Sequence, residues 1–145
     1  MGIPIGSGVI MKNKSLAEDY LSRAGHRLAA LEVLLKRQSY ADVVREAQEI
    51  VELCLKALLR KSGIEVPRIH DVSEILKEEK SRIRQTIRPH IDKLAKISKE
   101  MRRDRELAFY GSEDLTPSEF YQKEDAQKAF KEAGWAHSIC ELAFS

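Results

Sequence analysis

Three arginines stand just ahead of an aromatic pair in the stretch MRRDRELAFYGSED, residues 101–114. On a helix Arg102 and Arg105 lie three apart and share a face, while Arg103 points elsewhere. Phe109 and Tyr110 follow, and then Gly111. Guanidinium groups bind phosphate through paired hydrogen bonds, and aromatic rings stack on bases. The stretch is therefore a candidate nucleotide or nucleic-acid site. The competing reading pairs the arginines with Glu106, Glu113, Asp114 or the last helix, since charge runs usually form solvated faces.

Other constellations are thinner. His137 and Cys140 are three apart and, with Cys54, could approach a metal, but such sites need three or four convergent ligands and no fourth candidate is evident. No metal and no cofactor are expected. His70 stands before a helix and His26 beside Arg27, where both read as structural. The chain contains no GxxxxGK[ST], no GxGxxG after a strand, no HExxH and no CxxC.

The elements that must hold these residues follow from composition and spacing. A chain of 145 residues, 43% hydrophobic and 33% charged, makes one domain with a real core. Four prolines and seven glycines leave room for long elements. No apolar run reaches the roughly 18 residues that span a bilayer, so no membrane role is expected. Cys54 and Cys140 sit in apolar helical stripes and read as buried thiols in a reducing compartment, the cytoplasm. The net charge of +2 is unevenly spread. Residues 77–105 hold 11 basic against 5 acidic side chains, and residues 106–145 hold 3 against 8. A polyanion site is one reading of that division. The favoured one is two neighbouring helices that attract each other.

Residues 1–11 carry no charge and lack a signal peptide's basic start, so residues 1–13 read as a flexible leader to a single domain over 14–145. Ser15 with Glu18 forms a capping box for a first helix running to Gln38. The central element is Ser39–Ser62. Val44, Ala47, Val51, Cys54 and Leu58 share one face, and beyond Ile50 nearly every side is apolar except at Glu52 and Lys56. Gly63 is a C′ stop. A charged helix is expected over His70–Ile87, capped by Asp71 or Ser73. Another runs from about Arg88, with Pro89 in its first turn, to about Phe109. Thr116-Pro117-Ser118-Glu119 starts a single turn, and an alanine-rich helix runs from about Lys123 to the end. The fold class is all-α, an antiparallel four- to five-helix up-and-down bundle.

Taken in order, three segments resemble the HEPN family of small all-α domains. They are the run Ala47-x-x-Ile50-x-Glu52-x-x-Leu55-Lys56-Ala57-Leu58-Leu59; Gly63 followed by His70-Asp71-Val72 and Leu76; and Arg103 to Tyr110 with Gly111, Tyr121 and Glu124-Asp125-Ala126. The resemblance covers roughly Ser15 to the C-terminus. It implies a bundle, usually a homodimer, commonly encoded beside a minimal nucleotidyltransferase in toxin–antitoxin-like systems. Many members are metal-independent ribonucleases with the motif R-N-x-x-x-H-x-Y. Here Arg103 and Tyr110 match, Asp104 replaces Asn, and Ala108 stands where His belongs. Ala cannot transfer a proton.

The resemblance thus implies a non-catalytic or degenerate member that binds a nucleotide or nucleic acid, or docks with the nucleotidyltransferase, with Arg102, Arg103, Arg105 and Tyr110 lining the groove. The first alternative is an active ribonuclease using Arg103, or using Arg84 with His90, which fit a loose Arg–His spacing. The second is a purely structural interaction module. Glu52, the polar break in the central helix, is expected to pair with Lys56 or with an arginine of Met101–Tyr110, because an unpaired buried carboxylate is costly.

Overall fold

The second helix, α2 (Tyr40–Lys61), is the packing centre, as its apolar stripes require. Ala47, Ile50, Cys54, Leu55, Ala57, Leu58 and Leu59 on it have no solvent exposure. It packs against α1 (Ile5–Lys36), α4 (Ile91–Tyr110) and α6 (Lys123–Glu141), while the short α3 (Val72–Glu78) lies on α4. A one-turn α5 (Pro117–Phe120) completes the set. A computed structural model describes residues 5–68, 71–111 and 115–145 of the chain, with the side chains of residues 5–15 and 105–109 outside the description. Among the described residues every regular element is helical. None of these helices is long and apolar enough to cross a membrane.

Local chemistry explains most boundaries. At the end of α2, Gly63 takes φ 76°, its N–H bonds the Arg60 carbonyl, and the Ile64 N–H bonds that of Leu59. That double closure is a Schellman motif, and buried Ile64 seals it. The same pattern closes α1, where Gln38 holds the left-handed position at φ 63° and bonds back to Leu35. Asp71 caps α3 by accepting from the Ser73 N–H at 2.9 Å. Thr116 accepts from the Glu119 N–H, with Pro117 in the first turn of α5. In α6, buried Ala126, Ala129, Ala133 and Ala136 let the helix approach its neighbours closely. Opposite it, a β-carbon on Gly25 of α1 would lie 3.3 Å from His137 Nε2, so Gly25 permits that approach.

Two expectations need correction. α1 runs Ile5–Lys36, so the helix expected to start at Ser15 takes in that residue. Residues 1–4 lie outside the described residues. The helix expected over 70–87 ends at Glu78. Short 3-10 turns at Lys80–Arg82 and Arg88–His90 follow, with Ile83 extended between them. Side chains replace the helical bonds there. Arg88 donates to the Ile83 and Ser81 carbonyls at 2.8 Å, and Arg82 to that of Gly63 at 2.9 Å. Ile83 and Ile87 are thereby buried without a continuous helix. The basic and acidic segments do meet, without an ion pair among the described residues. Lys93 of α4 lies over the Trp135 ring of α6, and the charges of Lys93 and Lys96 act on Glu132 of α6.

Candidate nucleic-acid interface

α4 turns its apolar side inward. Ile91, Leu94, Ala95, Ile97 and Met101 are buried. The opposite side is exposed, and it carries Lys96, Lys99, Arg103 and Tyr110. Tyr110 is 76% exposed, as is the side chain of Arg103. The two are seven residues apart, two turns along one face, about 10 Å by helical rise. Arg103 has an ion-pair contact with its neighbour Asp104 at 3.6 Å, on the surface, where such pairs hold a side chain only weakly.

Arg102 is differently placed. It meets Asp71, the α3 cap, at 3.5 Å, and so ties α3 to α4. Burial works to raise the Asp71 pKa. The hydrogen bonds from the Ser73 hydroxyl and N–H and the charges of Arg102 and Lys99 outweigh it, leaving the carboxyl below its usual value. The side chains of Arg105, Ala108 and Phe109, and the candidate anions Glu106, Glu113 and Asp114, lie outside those described, as does His70.

Beyond Tyr110 the chain reverses at Gly111, where φ is 81° and an added β-carbon would come 2.7 Å from the Leu115 carbonyl oxygen. Only glycine fits both the dihedral and the space. The Tyr121 hydroxyl donates to the Asp104 carbonyl at 3.1 Å, fastening the end of α5 to α4. Burial, with the nearby Asp104 and Asp125 charges, pushes that phenol up to about 12.

Arg84 and His90 have separate partners. Arg84 donates to the Leu142 carbonyl and, at 2.9 Å, to that of Ser145. His90 meets Trp135 edge-on, 5.8 Å between ring centroids. Those anchors on α6 and its end are seven residues, about 10 Å of helix, apart. Glu52 and Lys56 are half-buried on a small cleft shared with Arg27, Glu49 and Leu53. Among the described residues Glu52 makes no ion pair within 4 Å, whether with Lys56, Arg102 or Arg103; the Arg105 side chain lies outside the description. The cleft opens between α1 and α2. Its own arginine, Arg27, is held by Glu49 at 2.7 Å. Partial exposure leaves Glu52 hydrated, which removes the penalty that made pairing necessary.

The two cysteines are free and buried. Burial first, and then the charge of Glu141, raises the Cys54 thiol to about 12; burial likewise raises Cys140. His137 places Nε2 3.3 Å from the Leu21 carbonyl and Nδ1 3.2 Å from Glu141. Among the described residues no three His, Cys, Asp or Glu side chains converge as metal ligands.

Lys96 and Lys99 escape a reading that starts from the arginine cluster. Their three- and four-residue steps to Arg103 carry the signal once α4 is treated as one continuous face.

The helical core gathered around α2 makes this a small all-α domain. The HEPN domain family model matches residues 17–142, and the chain belongs to that family. It is 32% identical, over 83% of each chain, to a Methanocaldococcus jannaschii protein named as a putative toxin. No solved structure matches the chain significantly.

Proposed function

We propose that this HEPN protein binds single-stranded RNA through the outer face of α4 and does not cleave it, serving as the toxin-like member of a two-component pair. One observation carries the reading: Arg103 and Tyr110 are both largely exposed, two turns apart on one face of α4. A guanidinium supplies a phosphate contact, and an exposed phenol ring supplies a stacking surface. Ala108 in the place of the family's histidine removes the general base that cleavage of a phosphodiester beside a 2′-hydroxyl needs. The relative named as a putative toxin supports the toxin-like role. The family resemblance supports a homodimer acting with a minimal nucleotidyltransferase.

The test is fluorescence anisotropy of a labelled RNA oligonucleotide in chelator, with the same samples run on a denaturing gel. Tyr110→Ala should weaken binding by about 1–3 kcal/mol, the usual worth of one stacked base. Arg103→Ala should weaken it similarly, and the RNA should remain intact. Binding indifferent to both substitutions overturns the reading. Cleavage that depends on Arg103 or His90 replaces it with that of an active ribonuclease.

A further inference from the structure

The exposed face of α4 extends well beyond the Arg103–Tyr110 pair. Lys96, Lys99, Arg103 and Tyr110 follow one another at steps of three, four and seven. At 3.6 residues per turn they fall within a sector of about 60°, opposite buried Leu94, Ile97 and Met101. Successive cations are about 4.5 and 6 Å apart along the axis. The row has acidic neighbours, none of those described in close contact with its lysines. Asp71 meets Arg102 and lies within the field of Lys99. Glu132 meets Lys128 and lies within the field of Lys96, and Arg103 contacts Asp104 at 3.6 Å. Lys93, beside the row, lies over the Trp135 ring at 4.1 Å. Among the described residues Lys96 and Lys99 form no ion pair within 4 Å.

Such a row is unlike a mononucleotide pocket. A single phosphate can be met by Arg103 alone, leaving two lysines with nothing to bind. Successive exposed cations on one face, two of them without a close carboxylate, leading to an exposed aromatic ring form a track for a strand with repeating phosphates and free bases. An acidic protein surface could answer the lysines but would leave the tyrosine face unused.

We infer that Lys96 and Lys99 extend the α4 site into a tract that follows the phosphate backbone of single-stranded RNA, with Arg103 in the middle and Tyr110 stacking a base at the far end. This rests on the RNA-binding reading of Arg103 and Tyr110.

The experiment compares fluorescein-labelled oligouridine with uridine monophosphate. The proteins are the wild type, the double variant Lys96→Ala/Lys99→Ala, and Arg103→Ala/Tyr110→Ala. The lysines are exposed and alanine favours helix, so the first variant should fold; circular dichroism checks it. For oligouridine, measured from about 50 to about 200 mM salt, the lysine variant should bind more weakly. Its slope of log affinity against log salt should be shallower by about 1.4, two contacts at about 0.7 each. Its affinity for uridine monophosphate should be unchanged. An unchanged slope and affinity in the lysine variant, with loss in the Arg103/Tyr110 variant, overturns the tract and leaves the site reading standing. Loss in the lysine variant alone overturns the site reading and, with it, the tract that rests on Arg103 and Tyr110. A wild-type protein that does not bind oligouridine overturns both.

Discussion

His90 meets the indole of Trp135 edge-on, with ring planes at 76°, and the Lys93 ammonium lies over the same ring. Arg84 in turn bonds the Leu142 and Ser145 carbonyls just beyond α6, so both members of the loose Arg–His spacing have contacts that packing can use. Arg84→Ala and His90→Ala should each lower stability by about 1 kcal/mol, the scale of a hydrogen bond or an aromatic contact. Neither should alter RNA affinity. Paired urea unfolding and anisotropy measurements check this, and a variant that loses RNA affinity while keeping its stability contradicts it.

Asp71 couples the α3 cap to Arg102 of α4. Asp71→Ala should cost about 1 kcal/mol, as lost N-caps do. The pH dependence has a definite sign. The folded pKa lies below the usual 3.8, so the charged form is favoured by folding. The wild type's advantage over Asp71→Ala should be full above the usual value and disappear as pH falls through the lowered one. Thermal unfolding of both proteins across the acid range measures it, and an advantage that grows toward low pH would contradict it.

Gly111 sets where α4 ends and therefore where Tyr110 sits. Gly111→Ala combines a left-handed φ with a 2.7 Å approach to the Leu115 backbone. It should cost about 2 kcal/mol or more. Gly134→Ala, in α6 with open space around it, should be neutral or stabilising. Unfolding free energies of the two variants give the comparison; equal costs would contradict the placement of the turn.

Both cysteines should resist alkylation. At pH 8 a thiol with a pKa of about 12 is thiolate in about one molecule in ten thousand, and burial blocks access as well. Iodoacetamide should leave the native protein's mass unchanged and add two groups after denaturation. Native labelling at either position would contradict the packing of α2 on α6.

The core was legible because it repeats. The α2 stripes, the alanines of α6, the Gly63 stop and the Thr116-Pro117 start are local signals, and each forms as its spacing requires. What was not legible depends on distant partners. Nothing near Glu79 announces that Arg82 and Arg88 would take over the backbone carbonyls and end α3 early. The pairing of Arg102 with Asp71, 31 residues away in the sequence, is equally invisible to helical spacing. The half-exposed setting of Glu52 was not legible either, because the helical stripe marks which side is apolar but not how much water reaches its edge. Charge alone puts the basic segment beside α6, where Lys93 does lie over Trp135, but which α4 cations face solvent is set by where Leu94, Ile97 and Met101 are buried.

The central claim is that the outer face of α4 holds RNA without cutting it. Its most direct test is oligouridine binding and integrity in one chelator-containing sample, wild type beside Arg103→Ala/Tyr110→Ala. The account predicts that the wild-type protein binds, that the variant binds at least about tenfold more weakly, and that the RNA stays whole in both. Equal binding by the two proteins, or RNA cut by the wild type and spared by the variant, would contradict it.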